Sequence, residues 1–153
     1  MTNATQTASR SITLAITPIG KGRPLSVTRR GKSGRMVIKR VTEPKTKTFE
    51  QTLAYEWLQA HGRNPLTGAC RVGITARFAM PSSWSAKKRE ATRGKLHTSK
   101  PDLDNIQKTL DALNGLAWVD DAQVGVVHAI KIWSDRNELH LSVEDESENK
   151  YWD

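Results

Sequence analysis

The sequence contains one cysteine among its 153 residues and no long apolar run. Because Cys70 has no second cysteine to pair with, an internal disulfide and a cysteine-based metal cluster are both excluded. We interpret Cys70 as a small buried residue leading into a strand. No apolar run approaches the ~20 residues of a membrane span, and the first residues lack the apolar core of a signal peptide. The sequence therefore predicts a cytoplasmic protein that does not bind a membrane.

Acidic residues are scarce in the first 100 residues, which contain 20 Lys and Arg but only 4 Asp and Glu. The remaining residues contain 4 basic and 12 acidic side chains, so the two parts carry +16 and −8 and together give the net charge of +8. A basic majority beside an acidic cluster is typical of a protein that holds a polyanion and acts on it with metal ions. The basic part alone would suit a passive nucleic-acid-binding protein equally well.

The acidic residues are concentrated between Pro101 and Gln123, which contain five of the sixteen. Asp102 and Asp104 form one close pair, and Asp120 and Asp121 form another. Mg²⁺ takes oxygen ligands, usually one or two carboxylates completed by water and substrate phosphate. Two carboxylate pairs therefore indicate a site for a hard divalent cation. The alternative is that acids in a first helical turn only complement the helix dipole.

The spacing between the two pairs predicts an amphipathic helix over residues 103–113. At 100° per residue, an apolar face opposes a polar one: Leu103, Ile106, Leu110 and Leu113 against Asp104, Lys108 and Asp111. Asp102 suits the N-cap position, and Asn114-Gly115 suits the end of the helix. Lys108 lies one turn after Asp104, so the two side chains form either a simple salt bridge or neighbouring parts of a catalytic site.

Alternating apolar residues predict the strands of one small sheet. We expect strands at 11–16, 36–38, 72–80, 124–132 and 139–143, and a further main helix from a capping box at Thr48 to His61-Gly62. The strand at 124–132 is apolar on both faces, so we expect it to be buried on both and to form a hairpin with the strand at 139–143.

These elements predict the fold class α/β (α+β), with a small mixed sheet and two main helices in one domain at residues 11–145. Residues 1–10 are expected to form a disordered N-terminal tail, and residues 146–153 an acidic C-terminal tail.

Two segments concentrate positive charge. Residues 21–40 contain eight Lys and Arg and no acid, with a hairpin tip at 29–34, and the loop at 82–100 carries six more and can contain a short helix at 86–92. A solvated charged surface is the usual explanation, but twenty residues without an acid favour phosphate contacts. The glycines of residues 18–24 lack the spacing of a nucleotide-binding loop, so no nucleotide cofactor is expected.

Two motifs, Asp-Leu-Asp-Asn-Ile-Gln-Lys at 102–108 and Asp-Asp-Ala-Gln at 120–123, resemble those of the RusA family of Holliday-junction resolvases. The resemblance covers most of the chain, including the first strand, Lys21-Gly-Arg-Pro24 and the segments 96–105, 111–115 and 118–131. It implies a homodimer of mixed α/β fold that cuts four-way DNA junctions with Mg²⁺, or with Mn²⁺ in its place. Since two symmetric cuts need two active sites, we expect a two-fold dimer with an apolar interface near the acidic helix.

Carried over by motif, the resemblance puts the catalytic carboxylates at Asp102, Asp104 and Asp121 and the essential lysine at Lys108. The same three acids, with Asp120 beside them, would hold the metal ion. The resemblance and the basic segments together predict DNA contacts at Lys21, Arg23, Arg29, Arg30, Lys32, Lys87, Lys88, Arg89, Arg93, Lys95, His97, Lys100 and Lys131.

One departure from the family pattern lies between Lys108 and Asp111, where the helix is at least one residue shorter. A missing residue rotates the later part of the helix by about 100° relative to its start. The turn at Asn114-Gly115 could absorb that rotation, or Asp121 could be displaced. The leading hypothesis is a metal-dependent endonuclease that resolves junctions by paired nicks. Two alternatives stay open: a DNA-binding protein on the same fold that has lost cleavage, and a metal nuclease for RNA or flaps.

Overall fold

A computed structural model describes residues 9–152. Its strands are β1 Ser9–Leu14, β2 Leu25–Arg30, β3 Met36–Val41, β4 Cys70–Ala79, β5 Val124–Ser134 and β6 Glu138–Asp145, and its α-helices are α1 Pro44–His61, α2 Ala86–Thr92 and α3 Leu103–Lys108. Four strands form one mixed sheet in the order β1-β6-β4-β5, whereas β2 and β3 form a separate hairpin. The predicted α/β domain with a small mixed sheet is confirmed. No described helix is long and apolar enough to cross a bilayer.

The core lies where α1 and the helix after residue 102 cover the sheet. Along β4 every second residue is buried, from Cys70 to Phe78, as the alternating pattern predicts. Phe49, Leu53 and Trp57 of α1 belong to the same core cluster. The predicted capping box is wrong, because α1 starts at Pro44 and the Thr48 hydroxyl donates to the Pro44 carbonyl from inside the helix. Proline is favoured in a first turn, where its missing N–H is not needed.

The predicted hairpin between β5 and β6 is wrong, because β4 lies between them. β4 pairs in parallel with β5 and antiparallel with β6. The short connection at 135–137 passes over the end of β4, where the Asn137 side chain accepts from the Ala79 N–H at 2.8 Å and the Ser134 carbonyl accepts from the Met80 N–H at 2.9 Å. The short polar segment between β5 and β6 is therefore a connection that crosses one strand, β4.

The position of β5 at the sheet edge also corrects the prediction that it is buried on both faces. Gly125, Val127 and His128 are exposed to solvent. The second half of β5 is covered by the loop before α3, since Leu96 bridges Ile132. Among the described residues, none pairs with the outer edge of 124–130.

The termini are more ordered than the sequence suggests. Residues 1–8 of the predicted tail lie outside the described residues, but Ser9 and Arg10 already belong to β1. At the other end, the Glu146 carboxylate is buried and accepts from Arg71 at 2.5 Å and from the Tyr151 hydroxyl at 2.8 Å. Bonds from Asn149, Arg71 and Tyr151 lower the pKa of Glu146 to about 2. The acidic tail is therefore held against the sheet as far as Tyr151.

The helix predicted over 103–113 is present but changes pitch midway. Residues 103–108 are α-helical, and Thr109–Leu113 continue as a 3-10 helix. Ile106, Leu110 and Leu113 are buried, as the apolar face predicts. Thr109 is buried as well, and its hydroxyl donates to the Ile106 carbonyl at 2.6 Å.

The change of pitch would compensate for a helix that is one residue shorter, as the resemblance implies. A 3-10 helix turns about 120° and rises about 2.0 Å per residue, against about 100° and 1.5 Å for an α-helix. The five steps from Lys108 to Leu113 therefore turn about 600° and rise about 10 Å, and six α-helical steps would turn about 600° and rise about 9 Å. By this arithmetic, an α-helix one residue longer would bring Leu113 to nearly the same position and start the turn after it in the same place.

This compensation predicts that an alanine inserted between Thr109 and Leu110 is tolerated, because the segment can then become α-helical without moving Leu113. We expect the Tm to stay within about 4 °C, since 1 kcal/mol corresponds to about 2–4 °C at this size. Circular dichroism measures both the Tm and the gain in helix.

The matched control is an alanine inserted between Asn105 and Ile106, inside α3. That insertion rotates Ile106, which is 1% exposed, by about 100° out of the core. A loss of at least ~3 kcal/mol should lower the Tm by roughly 6–12 °C. Equal losses for both insertions would contradict the compensation.

Candidate active site

The first carboxylate pair flanks the start of α3. The main-chain carbonyl of Asp102 accepts from the N–H groups of Asn105 and Ile106, each at 3.1 Å. Its carboxylate caps no helix N–H, contrary to expectation, and instead accepts from the Lys100 ammonium at 2.5 and 2.6 Å. Both side chains are accessible, so the Asp102 carboxylate is available to a stronger cation.

Asp104 lies on the solvent face of α3, beside Lys108. The Lys108 ammonium is 3.2 Å from an Asp104 oxygen and 3.1 Å from the Asn105 side-chain oxygen. The hydrogen bond from Lys108 lowers the pKa of Asp104, which is therefore ionised at neutral pH. Both side chains are more than half exposed, so this ion pair contributes little to stability and can open when a ligand arrives.

The second carboxylate pair lies in a short turn before β5. Asp121 accepts from the indole N–H of Trp118 at 2.8 Å, and Trp118 is almost fully buried. The buried Trp118 indole therefore fixes the orientation of the Asp121 carboxylate. Asp120 has a structural bond, because its carboxylate accepts from the Ala122 N–H at 2.8 Å as the cap of the 3-10 turn Asp121–Gln123. The two adjacent acids thus occupy different environments.

Gln123 fixes this turn to the body of the protein. Its side-chain oxygen accepts from the N–H groups of Val119 and Asp120, at 2.9 and 2.8 Å. Its amide nitrogen donates to the carbonyls of Leu66 and Gly68, both at 2.8 Å. All four bonds of this amide hold the backbone around the second pair, so Gln123 is a support for Asp121.

A cavity of about 250 Å³ connects Asp121 to the polar face of the helix. Gln107, Asp111 and Asp121 line it, above an apolar floor formed by Val72, Leu110, Trp118, Val124 and Val127. Gln107 lies three residues after Asp104 and therefore on the same helix face. The cavity thus brings Asp121 beside Gln107 and Asp111, and neither Asp102 nor Asp104 lines it. The sequence singled out Asp111 but missed Gln107, because a glutamine on an exposed helix face has no distinctive spacing.

A second cavity, of about 400 Å³, is lined by Lys108 and by the loop before β2. Its lining is Lys21, Gly22, Arg23, Pro24, Asn105 and Lys108. The loop at 18–24 is held against α3, because the Lys21 N–H donates to the Asn105 carbonyl at 2.8 Å. Gly20 permits this close approach, since a Cβ there would lie 2.9 Å from the Cβ of Asn105. The cavity places Arg23 and Lys108 around one space that suits an anion.

Lys21 itself has two acidic partners. Its ammonium lies 2.8 Å from Asp111 and 3.1 Å from Glu50. Burial lowers the pKa of Lys21, but the hydrogen bonds from its ammonium to Asp111 and Glu50 outweigh burial and raise it overall. Lys21 therefore fastens the loop to the helix and α1, and DNA contact by its side chain stays a prediction.

Lys131 and His97 lie behind the loop at 98–102 and not on an open surface. The Lys131 ammonium donates to the carbonyls of Ser99 and Pro101, each at 2.7 Å. The His97 N–H donates to the Lys131 carbonyl at 3.0 Å, and its ring stacks on Phe78 with centroids 4.1 Å apart. Burial, and then the charge of Lys131, lowers the pKa of His97. Both residues shape the segment that carries Asp102.

The other predicted DNA contacts divide into two groups. Arg93 is held by Asp135 and Glu90, and Lys100 by Asp102. The rest have no ion pair among the described residues, namely Arg23, Arg29, Arg30, Lys32, Lys87, Lys88, Arg89 and Lys95. Lys88 lies 4.0 Å over the ring of Trp84. Six of these eight cations lie on the hairpin of β2 and β3 or on α2. The other two, Arg23 and Lys95, lie close to the ends of these elements.

The carboxylates fit a cation that is shared with substrate better than a closed cage. Within residues 9–152, no three His, Cys, Asp or Glu side chains come together as a ready ligand group. Asp102 and Asp104 each hold a lysine ammonium instead. Exposed aspartates of this kind match the one or two carboxylates that Mg²⁺ uses when water and phosphate complete its shell.

Comparison with known proteins identifies the family. The sequence matches the family described as Endodeoxyribonuclease RusA over residues 15–144. It is also similar to uncharacterized protein YqaN of Bacillus subtilis (strain 168), with 32% identity over 135 residues, or 85% of this chain and 92% of the relative. The matched residues include both carboxylate pairs and Lys108.

The geometry of Lys131 predicts that its ammonium positions the loop at 98–102. Lys131→Met should increase amide hydrogen exchange in that loop at least tenfold, because two bonds to its carbonyls are lost. It should leave the salt dependence of DNA binding unchanged. A slope reduced by ~0.9 without faster exchange would instead mean that Lys131 contacts phosphate.

Proposed function

The chain belongs to the RusA family of endodeoxyribonucleases, and on that premise we propose that it is a cytoplasmic Mg²⁺-dependent enzyme that resolves four-way DNA junctions. It would act in recombination and repair by paired symmetric nicks. The observation that carries the proposal is the exposed pair of Asp104 and Lys108 on α3, a helix whose residues line two cavities. One cavity contains Asp121, and the other contains Arg23.

The surroundings of each residue suggest its role in the proposed reaction. Asp102, Asp104 and Asp121 would hold the metal ion, with Asp120 beside them. A bound divalent cation supplies an activated water and offsets charge on the scissile phosphate. Lys108 would release Asp104 and donate to a phosphate oxygen in the cavity that it shares with Arg23. Trp118 keeps Asp121 in one orientation through its indole N–H.

The competing proposal is a DNA-binding protein that has lost cleavage, as the shortened helix suggested. The 3-10 pitch of residues 109–113 supports the enzyme over this alternative, because it would offset a one-residue shortening before the turn that leads to Asp121. The exposure of Asp102, Asp104 and Asp121 also leaves them accessible to metal and DNA.

The test is cleavage of a synthetic four-way junction, with each strand labelled in turn, in Mg²⁺ or Mn²⁺. We expect paired nicks in strands of like polarity, and little cleavage of linear duplex, flap or RNA substrates. Asp102→Asn, Asp104→Asn and Asp121→Asn should each lower the rate at least ~100-fold, because each removes a ligand from the metal. Junction binding should be retained or tightened, since negative charge near the phosphates is lost.

The matched control is Glu56→Gln, which removes one exposed acid from α1 and should cut normally. Asp120→Asn separates two roles, because asparagine keeps the cap but is a poor metal ligand. A shifted complex that yields no product would support the binding protein, and preferred cleavage of RNA or flaps would support the third alternative. An Asp→Asn variant with near-normal Mg²⁺-dependent cutting would remove that residue from the site.

Paired nicks require a homodimer, and the free edge of β5 supports the proposal of one. The outer edge of β5 has no partner at 124–130 within the described residues, and Val127 is 37% exposed there. Val119, in the turn before it, is 56% exposed. A second copy on this edge would bury apolar surface near the acidic helix and bring both sites to one side.

Light scattering at micromolar concentration should give twice the chain mass of 17.1 kDa. Val127→Lys should shift the mass towards the monomer, because two like charges would meet across the two-fold axis. Lysine in place of exposed Tyr55, on α1, is the control and should remain a dimer. A monomer mass for the natural protein, both alone and on the junction, would contradict the paired-cut mechanism.

A further inference from the structure

The hairpin of β2 and β3, which we call the arm, projects from the protein without joining the main sheet. Every residue of both strands is exposed. Six are large apolar residues, namely Leu25, Val27, Met36, Val37, Ile38 and Val41. A two-stranded hairpin is marginal by itself, and exposed apolar side chains add no stability to it. The composition of the arm therefore points to contact with something outside the chain.

The pairing of the strands shows how the arm combines charge and apolar surface. Arg30 lies opposite Met36, and Arg29 lies opposite Val37. Directly opposite residues share one face of a hairpin, and successive pairs alternate between faces. Each face of the outer half therefore presents an arginine beside a large apolar side chain. A protein-binding surface would need no such cation on both faces.

The charge of the arm identifies its partner as a polyanion. Residues 25–41 contain six Lys and Arg and no Asp or Glu. With the face of Met36 and Ile38 toward the floor of a groove, the long side chains of Arg29 and Arg30 could reach the phosphates on its two walls. The major groove of DNA is about 12 Å wide and admits a two-stranded ribbon. Apolar side chains then meet base edges and thymine methyl groups, which bare phosphate binding would not require.

The length of the arm fixes how far it reaches from the candidate active site. β2 begins immediately after Arg23 and Pro24, which line the cavity beside Lys108. Six residues of extended strand span about 20 Å. At 3.4 Å per base pair, the tip can reach DNA about six base pairs from that cavity.

We propose that the arm inserts into the groove of the duplex leading away from the cleaved strand, with Arg29 and Arg30 on phosphates and Met36 and Ile38 against the bases. This inference rests on the proposed function for the identity of the substrate. It adds a requirement that the proposed function does not contain: the junction must have duplex arms longer than about six base pairs for full affinity.

The test compares binding to junctions with arms of about 5 and about 15 base pairs, by fluorescence anisotropy without a divalent cation. The natural protein should bind the long-armed junction about tenfold more tightly, the effect of one or two good base contacts. Met36→Ser with Ile38→Ser should remove most of this preference without changing the salt slope. Arg29→Gln with Arg30→Gln should remove it and also reduce the slope by ~0.9 per lost contact.

A control and two outcomes keep the inference distinct from the proposed function. Tyr55→Ser removes a side chain of similar exposure (59%) from α1 and should keep the preference for long arms. Arm variants that keep the preference would overturn the inference even if the protein cuts junctions normally. Arm variants that lose the dimer mass and keep the preference would assign the arm to a second copy. A natural protein that prefers long arms but cuts no junction would overturn the proposed function alone.

Discussion

Burial of one apolar stripe decides which way the helix of residues 103–113 faces. Ile106, Leu110 and Leu113 are each less than a tenth exposed and belong to the core cluster that also contains α1. Each such side chain contributes about 1.5–3 kcal/mol when fully buried. Since the helix has one rotational setting that buries all three, Asp104 and Lys108 must point to solvent. The candidate site is thus a consequence of core packing on the opposite face of the same helix.

Three of the five carboxylates around this site have a cationic partner before any ligand arrives. Asp102 holds Lys100, Asp104 holds Lys108, and Asp111 holds Lys21, so three carboxylates each have a neighbouring ammonium. The pairs at Asp102 and Asp104 are exposed and therefore weak, so a divalent cation and a phosphate together can replace both partners. Lys131 and Gln123 belong to another class, because their polar atoms bind backbone carbonyls and N–H groups that hold the loops in place.

The sequence predicts the features that depend on local periodicity. It does not predict the features that depend on contacts between distant segments. The alternation in β4 and the apolar stripe of the helix were predicted correctly, since each pattern is local. The neighbours of β5 were wrong, because a hairpin signal cannot show that β4 enters between β5 and β6. The change to 3-10 pitch and the carbonyl bonds of Lys131 were missed for the same reason. In the sequence, Lys131 cannot be distinguished from the other basic residues, because its partners Ser99 and Pro101 are about 30 residues away along the chain.

The central claim is that Asp102, Asp104 and Asp121 hold a divalent cation together with substrate phosphate. Crystals of the protein with junction DNA and Mn²⁺, measured at the manganese absorption edge, test it most directly. We expect an anomalous peak within about 2.3 Å of oxygens from at least two of these carboxylates and from a phosphate, and a much weaker peak without DNA. A strong peak elsewhere, with these carboxylates still paired to their lysines, would contradict it.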